Sequence, residues 1–302
     1  MSKIDFVTIF FNDPVDMNLI KLQAASFSYV DENMIHKIYL AYNDIGNGRE
    51  LYESIKTHYP ENIRDKIVFV SRSELGLDFL NVSTWVNQQL VKIKFCHMID
   101  SLYYVVLDSK NHFICNVSYN TFFVDDKPLY KCFLYSEPKG SAMSNPLNYY
   151  IELFHLQKYG IFISSAVTPY VFSTKIVKDL IDHIEKIVKI PIDDFLLKNK
   201  EVSEFYLYWC YLLYLKNNSY SISNNIREVC LWQISVKNLQ PDEFTRILKN
   251  KNISSFAIHR LVLKNEEYVK KILEFGIIDN FYGKIYDSDT VDFIKKCLIV
   301  TH

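Results

Sequence analysis

Apolar strand-like runs alternate with amphipathic helical stretches four times in the first 108 residues. That alternation restricts the chain to a mostly parallel, doubly wound α/β sheet. The first run, Asp5–Phe11, stops at Asn12-Asp13-Pro14. Pro14 suits the first turn of a helix and Asp13 its N-cap. Met17, Ile20, Leu22, Ala24 and Phe27 continue that helix. His36–Tyr42 and Lys66–Val70 are the second and third strands, with a short helix over Arg49–His58 between them. Ser83 or Thr84 then caps a helix from Trp85 to about Ile99, whose apolar stripe falls at positions 86, 90, 93 and 96.

The fourth strand, Tyr103–Leu107, carries no polar alternation, which is the mark of a strand buried on both faces. A polar cluster, Asp108-Ser109-Lys110-Asn111-His112, follows it directly. Open α/β sheets bind ligands outside the carboxyl ends of their strands. Asn12, Asp44 and Asp108 all stand at such ends. A single Asp after a strand is as readily a turn or cap residue; three on one edge point to a crevice.

The second half is more helical. A strand over Lys131–Tyr135 precedes the Gly- and Ser-containing loop Glu137–Asn145, a helix over Asn148–Tyr159 and a short strand over Phe162–Val167. Thr168-Pro169 then leads into a helix from about Ser173, interrupted at Pro191. Ser203–Leu215 is a very aromatic helix, followed by a strand around Glu228–Ile234 and two or three helices. With 302 residues, no internal repeat and no linker composition, one compact unit of two lobes is expected, divided near 1–165 and 166–302.

Composition excludes several classes. Net charge is −1 and no basic cluster occurs, so nucleic acid is not an expected partner. The 7 glycines form neither common phosphate-loop pattern. Six cysteines lie without CxxC spacing, as in a reducing compartment. The amino terminus lacks a signal-peptide pattern and no run of ~20 apolar residues is present. A cytoplasmic location is expected, with a peripheral contact at the inner face of the membrane left open.

Three groups of residues could carry chemistry. An Asp-x-Asp at the end of a central strand holds a divalent metal in many nucleotide-sugar transferases, because hard cations take carboxylate oxygens. Here the pattern is Asp108-Ser109-Lys110. Lys110 cannot ligate a metal, but an ammonium can replace one against a diphosphate. No metal ligand set is expected, no cofactor is required, and the need for a divalent ion stays open. His112 faces the same side as Lys110 if the strand continues. Gln88 and Lys92 share a helix face at i, i+4, beside Gln89; an exposed polar face would read alike. Glu204 sits in the first turn after the N-cap Ser203, where the helix dipole favours a carboxylate whether or not it acts as a base. His259 reads as an ordinary core or surface histidine.

Together these residues resemble the DUF6492 family. The resemblance rests on Trp85-(x2)-Gln88-Gln89-(x2)-Lys92, the run YYVVLDSKNHFI, Thr168-Pro169 and Ser203-Glu204-(x3)-Tyr208, and it covers roughly residues 1–215. These are glycosyltransferase-like bacterial proteins with a GT-A type fold, often associated with surface polysaccharides such as capsule or lipopolysaccharide. It implies a nucleotide-sugar-binding α/β half and an acceptor-binding half. On that reading Gln88, Gln89, Lys92, Asp108 and Lys110 hold the donor, with Asn12 and Asp44, placed by their strand ends and not by the resemblance, at its base or ribose. Thr168, Glu204 and Tyr208 meet a saccharide or lipid-linked saccharide acceptor, and Asp108, Lys110, Glu204 and His112 are the catalytic candidates. The missing second Asp leaves two alternatives open: a non-catalytic nucleotide- or glycan-binding protein, or a transferase of phosphosugars or alcohol phosphates from a CDP-linked donor.

Overall fold

The computed structural model describes residues 3–77, 84–135, 144–158, 160–199, 203–223, 228–231 and 253–274, with 288, 291, 292 and 295 beyond them. The loop expected over Glu137–Asn145 falls mostly outside the described residues, as does the Ser83 cap.

The first half alternates as expected: β1 (Ile4–Phe10), α1 (Pro14–Ser26), β2 (Ile35–Tyr42), α2 (Arg49–Lys56), β3 (Ile67–Ser71), α3 (Thr84–Lys94) and β4 (Tyr103–Asp108). Asp13 caps α1, its carboxylate accepting from the amides of Val15 at 3.0 Å and Asp16 at 3.2 Å. The helix expected to reach Ile99 stops at Lys94 and tightens into a 3-10 turn over Phe95–His97.

Further on come β5 (Asn111–Phe113), α4 (Tyr119–Phe122), β6 (Phe123–Val124), β7 (Lys127–Leu134), α5 (Ser144–Leu153), β8 (Phe162–Ser164), β9 (Tyr170–Ser173), α6 (Thr174–Val188), α7 (Ile192–Lys198) and α8 (Glu204–Tyr214). Then follow β10 (Ser221–Ser223), β11 (Glu228–Leu231), β12 (Ser255–Ile258), α9 (Arg260–Leu263) and α10 (Glu266–Glu274).

The central sheet runs β3-β2-β1-β4-β9. The first four strands are parallel and β9 is antiparallel to β4. Thr168-Pro169 therefore opens a strand before the helix, because Tyr170, Val171 and Phe172 bury their side chains on the sheet. Every residue of β1 is buried, as expected for a strand covered on both faces. From β1 the chain winds outward through β2 and β3, then returns to place β4 on the other side of β1. The topological switch point therefore lies between β1 and β4, where Ile9 pairs with Asp108.

Among the described residues, two smaller sheets join the central one. One contains β10, β7 and β6, with β8 paired to β7; the other runs β11-β12-β5. The third sheet sets the site. β5 begins one residue after Lys110 and pairs antiparallel with β12, Asn111 opposite Ala257. Most of the aromatic residues are core: Tyr130, Tyr170, Phe172, Phe205, Tyr208 and Trp209 pack together at ring distances of 4.4–6.3 Å.

Candidate functional site

Two adjoining cavities open at the switch point. One, of about 350 Å³, is lined by Ile9 of β1, Asp16 of α1, Ser109 and Arg260. The other, of about 500 Å³, is lined by Gln89, Lys92, Thr168, Glu204, Phe133 and Tyr206. Trp85, Gln88, Asp108, Lys110 and His259 line both, so the two form one crevice. Its volume lies in the range of small-ligand sites.

The floor of the crevice is the turn 108–111, and side chains fix its backbone. Asn111 Oδ1 accepts from the Asp108 amide at 2.8 Å. Gln23, buried in α1, donates through Nε2 to the carbonyls of Asp108 at 2.7 Å and Asn111 at 2.9 Å. Thr8 of β1 donates to Gln23 Oε1 at 2.7 Å and so orients that amide. Asn111 Nδ2 donates to the Thr168 carbonyl at 3.1 Å, tying the turn to the strand-entry loop. Ser109 donates to Asp16, whose other oxygen accepts from the Phe11 amide at 2.9 Å. Burial pushes the Asp16 carboxyl up to about 6, against the pull of those two hydrogen bonds.

On this floor stands an alternating row of charges, Glu204, Lys92, Asp108 and Lys110. Lys92 Nζ lies 2.9 Å from Glu204 Oε1 and 3.1 Å from Asp108 Oδ1. Lys110 pairs with Asp108 Oδ2, which also accepts from Thr168 Oγ1 at 3.1 Å. Glu204 is 1 % exposed and Lys92 4 %, so their pairing is screened little by solvent. The Phe205 ring covers Lys92 Nζ at 4.9 Å from its centroid, a cation–π contact. Burial works against the charge on Lys92, yet its two carboxylate neighbours hold its pKa above the usual lysine value. Burial likewise opposes ionisation of Asp108, but Lys110 and Lys92 together hold that carboxyl well below the usual range. Glu204 is raised by burial, with Lys92 opposing. The ionised row carries two positive and two negative groups and is neutral as a whole.

Gln88, Gln89, Lys92, Asp108, Lys110, Thr168 and Glu204 thus come together on one crevice. Four other residues do not. His112 belongs to β5, because the chain turns at Ser109-Lys110 instead of continuing β4. It is 1 % exposed, stacks edge-on against Phe256 at 5.7 Å, and burial lowers its pKa to about 3; it is a neutral core group. Tyr208 is also core, its hydroxyl accepting from the Ser173 amide at 3.1 Å and its ring set edge-on to Phe172. Asp44 accepts from the Ile45 amide at 2.8 Å as a turn residue, one strand away from the switch point. Asn12 is exposed at the end of β1, and neither it nor Asp44 lines the two cavities.

Sequence reasoning set His259 aside and gave no role to Trp85, Gln23, Asn111 or Asp16. Trp85 is 45 % exposed on the rim of both cavities. The signal for His259 was out of reach, since it depends on the pairing of β5 with β12.

The donor set does not fit a divalent cation. Both Asp108 oxygens are taken by ammonium groups and Thr168, and Lys110 stands where the Asp-x-Asp pattern has its second carboxylate. Among the described residues, no three His, Cys, Asp or Glu side chains group as metal ligands.

A search of curated protein sequences finds no match. Among solved structures, the WbbM bifunctional glycosyltransferase superposes with a TM-score of 0.50 at 10 % identity, covering 91 % of this chain and 51 % of that one. This chain thus spans about half the length of WbbM. The galactosyltransferase LgtC, solved in complex with donor and acceptor sugar analogs, gives 0.46 at 10 % identity, covering 91 % and 96 %. Mouse xyloside xylosyltransferase 1 gives 0.44 at 8 % identity, covering 84 % and 97 %. The likeness to WbbM is one of fold, in line with the GT-A type architecture expected from sequence. A family model, described as a family of unknown function (DUF6492), matches residues 21–232. That stretch holds the helix α3, the charged turn after β4 and the Ser203-Glu204 cap, and the chain belongs to the DUF6492 family.

Proposed function

We propose that this protein is a glycosyltransferase that moves a sugar from a nucleotide-diphosphate donor to a saccharide acceptor without using a divalent metal. The observation that carries this reading is the ammonium of Lys110 at the switch-point crevice, in the place of a second metal-binding carboxylate. A fixed cation there offsets the charge that builds on a departing nucleoside diphosphate. Lys92 is a positioning residue: Glu204 and Asp108 fix it behind the crevice, and it in turn fixes Asp108. Glu204 is already bound to Lys92, so it orients that lysine instead of serving as a general base. Thr168 sets the rotation of the Asp108 carboxylate. Trp85 and Phe133, both half-exposed on the crevice, offer apolar faces for sugar or base stacking. The acceptor we propose is a bacterial surface polysaccharide or its lipid-linked precursor, met at the inner face of the cytoplasmic membrane.

The test is release of nucleoside diphosphate from a panel of nucleotide sugars, with and without EDTA. Turnover that survives chelation and is lost in Lys110→Ala supports the reading. Turnover abolished by EDTA in the wild type sinks the metal-independent form of it. One observation favours a non-catalytic nucleotide-binding protein instead: the buried carboxylate of Glu204 is already committed to Lys92. That alternative predicts a melting shift with a nucleotide but no turnover of any donor. A ligand at ~100 times its dissociation constant adds about 2.7 kcal/mol to stability. CDP and CMP compounds in the same screen would separate out a transferase using CDP-linked donors.

A further inference from the structure

We propose that a cavity between α5, α6 and the end of α8 binds a neutral sugar ring, as a second carbohydrate site apart from the switch-point crevice. The binding stands without the glycosyltransferase reading given above. Only its use, to hold an acceptor chain away from its reacting end, rests on that reading.

The cavity, of about 400 Å³, is lined by Tyr149 and Glu152 of α5, His155 just after it, His183 and Ile187 of α6, and Tyr214, the last residue of α8. Among the described residues it shares none with the crevice. α8 joins the two. Its first residue, Glu204, lies in the crevice, and a helical rise of about 1.5 Å per residue puts Tyr214 about 15 Å further along.

Two tyrosine rings form the stacking faces. Tyr149 is 39 % exposed and Tyr214 43 %, yet both are held from behind. Tyr214 packs on the His183 ring at 4.9 Å and on Phe154 at 5.7 Å, and Tyr149 on Phe195 at 6.3 Å. A ring fixed in this way offers a flat apolar face and loses little freedom when a ligand settles on it. The C–H groups on one face of a pyranose match such a surface, while its hydroxyls point outward around the ring.

The polar groups of the cavity suit those hydroxyls. Among the described residues, the side chains of Glu152, His155 and His183 hold no hydrogen bond or ion pair, in contrast to the paired row of charges in the crevice. Burial, with Lys186 nearby, lowers the pKa of His183. Its ring is therefore neutral at physiological pH and presents one N–H donor and one acceptor nitrogen, and a hydroxyl likewise both donates and accepts. Charge then decides the class of ligand. The lining holds a carboxylate and no Lys or Arg, so a phosphate, a nucleotide or an anionic lipid head group finds no cation there. A neutral saccharide needs none.

The experiment is a glycan array of neutral and acidic oligosaccharides, built from hexoses, N-acetylhexosamines and uronic acids and read without nucleotide, followed by calorimetry on the best binder. Wild type is compared with Tyr214→Ala, Tyr214→Phe, Glu152→Lys and, at the crevice rim, Trp85→Ala, with folding checked by circular dichroism. The expected result is binding of a neutral oligosaccharide that weakens about tenfold or more in Tyr214→Ala and Glu152→Lys, equivalent to about 1.4 kcal/mol. Tyr214→Phe should keep the affinity, and Trp85→Ala should keep it too. Glu152 is exposed on its helix, so Glu152→Lys decides the matter if Tyr214→Ala disturbs the packing of α8. A loss in Trp85→Ala as large as in Tyr214→Ala would place the sugar in the crevice and overturn the proposal. A preference for acidic glycans would overturn it, as would wild type that binds no glycan. Self-association in sedimentation that Tyr214→Ala abolishes would make a second copy of the chain the occupant, and overturn it as well. Glycan binding at this site in a protein that turns over no nucleotide sugar would instead sink the glycosyltransferase reading and leave the site standing.

Discussion

Lys92 is the residue on which the site turns, because two carboxylates depend on it. Replacing it by Met keeps the length and removes the charge, leaving the buried Glu204 carboxyl without its ammonium partner, to be held there as an unpaired charge or protonated at a cost. Breaking a buried pair from one side costs about 3–5 kcal/mol. Urea unfolding of Lys92→Met should show a loss of that order. Adding Glu204→Gln should recover a substantial part of it, since the stranded charge is gone. If the double variant is as unstable as the sum of the two single ones, the pair is not coupled and the row of charges is incidental. Glu204→Gln alone should cost less than Lys92→Met, because Asp108 still holds the ammonium.

At the scale of elements, the turn 108–111 is held by side chains from β1, α1 and its own Asn111. Gln23→Leu keeps the bulk and removes two donors and one acceptor. The carbonyls of Asp108 and Asn111 and the Thr8 hydroxyl each lose a partner, and each unsatisfied buried group costs about 1–3 kcal/mol. The predicted outcome is a destabilised protein whose nucleotide affinity falls further than that of an equally destabilised core variant such as Val177→Ala. Affinity that follows stability alone would argue against a structured floor.

Much of this was legible in the sequence and some was not. β1 to β4 announce themselves as apolar runs, three of them closed by Asn or Asp and β3 by Ser71-Arg72, and the Asp13-Pro14 and Ser203-Glu204 caps are local signals that side chains obey wherever they fall. Asp108 and Lys110 could be placed because the end of a buried strand is a site by topology. His112 could not, because one turn at Ser109-Lys110 moves the chain from one sheet to another, and nothing in the local pattern distinguishes a turn from two more residues of strand. β9 hid in front of a strong helical pattern, since Tyr170-Val171-Phe172 fits either period. The tyrosines could not be sorted into core and surface, because a phenol ring packs equally well in both.

At the scale of the whole molecule, two buried groups, His112 and Asp16, act on stability in acid with opposite signs. His112 is neutral and buried in the folded state, with its pKa lowered to about 3 from 6.5. Between those values the unfolded chain binds a proton that the folded one excludes. The contribution of this residue therefore falls as pH drops from about 6.5 toward 3, by up to about 1.4 kcal/mol per pH unit, while Asp16, raised to about 6 by burial, binds a proton first in the folded state and offsets that slope between about 6 and 3.8. His259, lowered to about 4, adds to the same trend over the upper part of that window. His112→Phe should flatten the slope of unfolding free energy against pH between 6 and 4; a slope identical to wild type would show that the ring does not titrate on unfolding.

The pairing of β5 with β12 has a consequence in time as well as in space. The central sheet needs nothing after β9, and the charged floor is complete once α8 has formed. The wall that carries His259 comes from a strand about forty residues further on, which must return and pair with a three-residue strand set down long before. A ribosome that has just released α8 therefore holds a protein with a sheet and a charged floor but an open mouth. The crevice gains the side that carries His259 only when β12 zips onto β5, after the sheet and the charged floor beneath it have been synthesised.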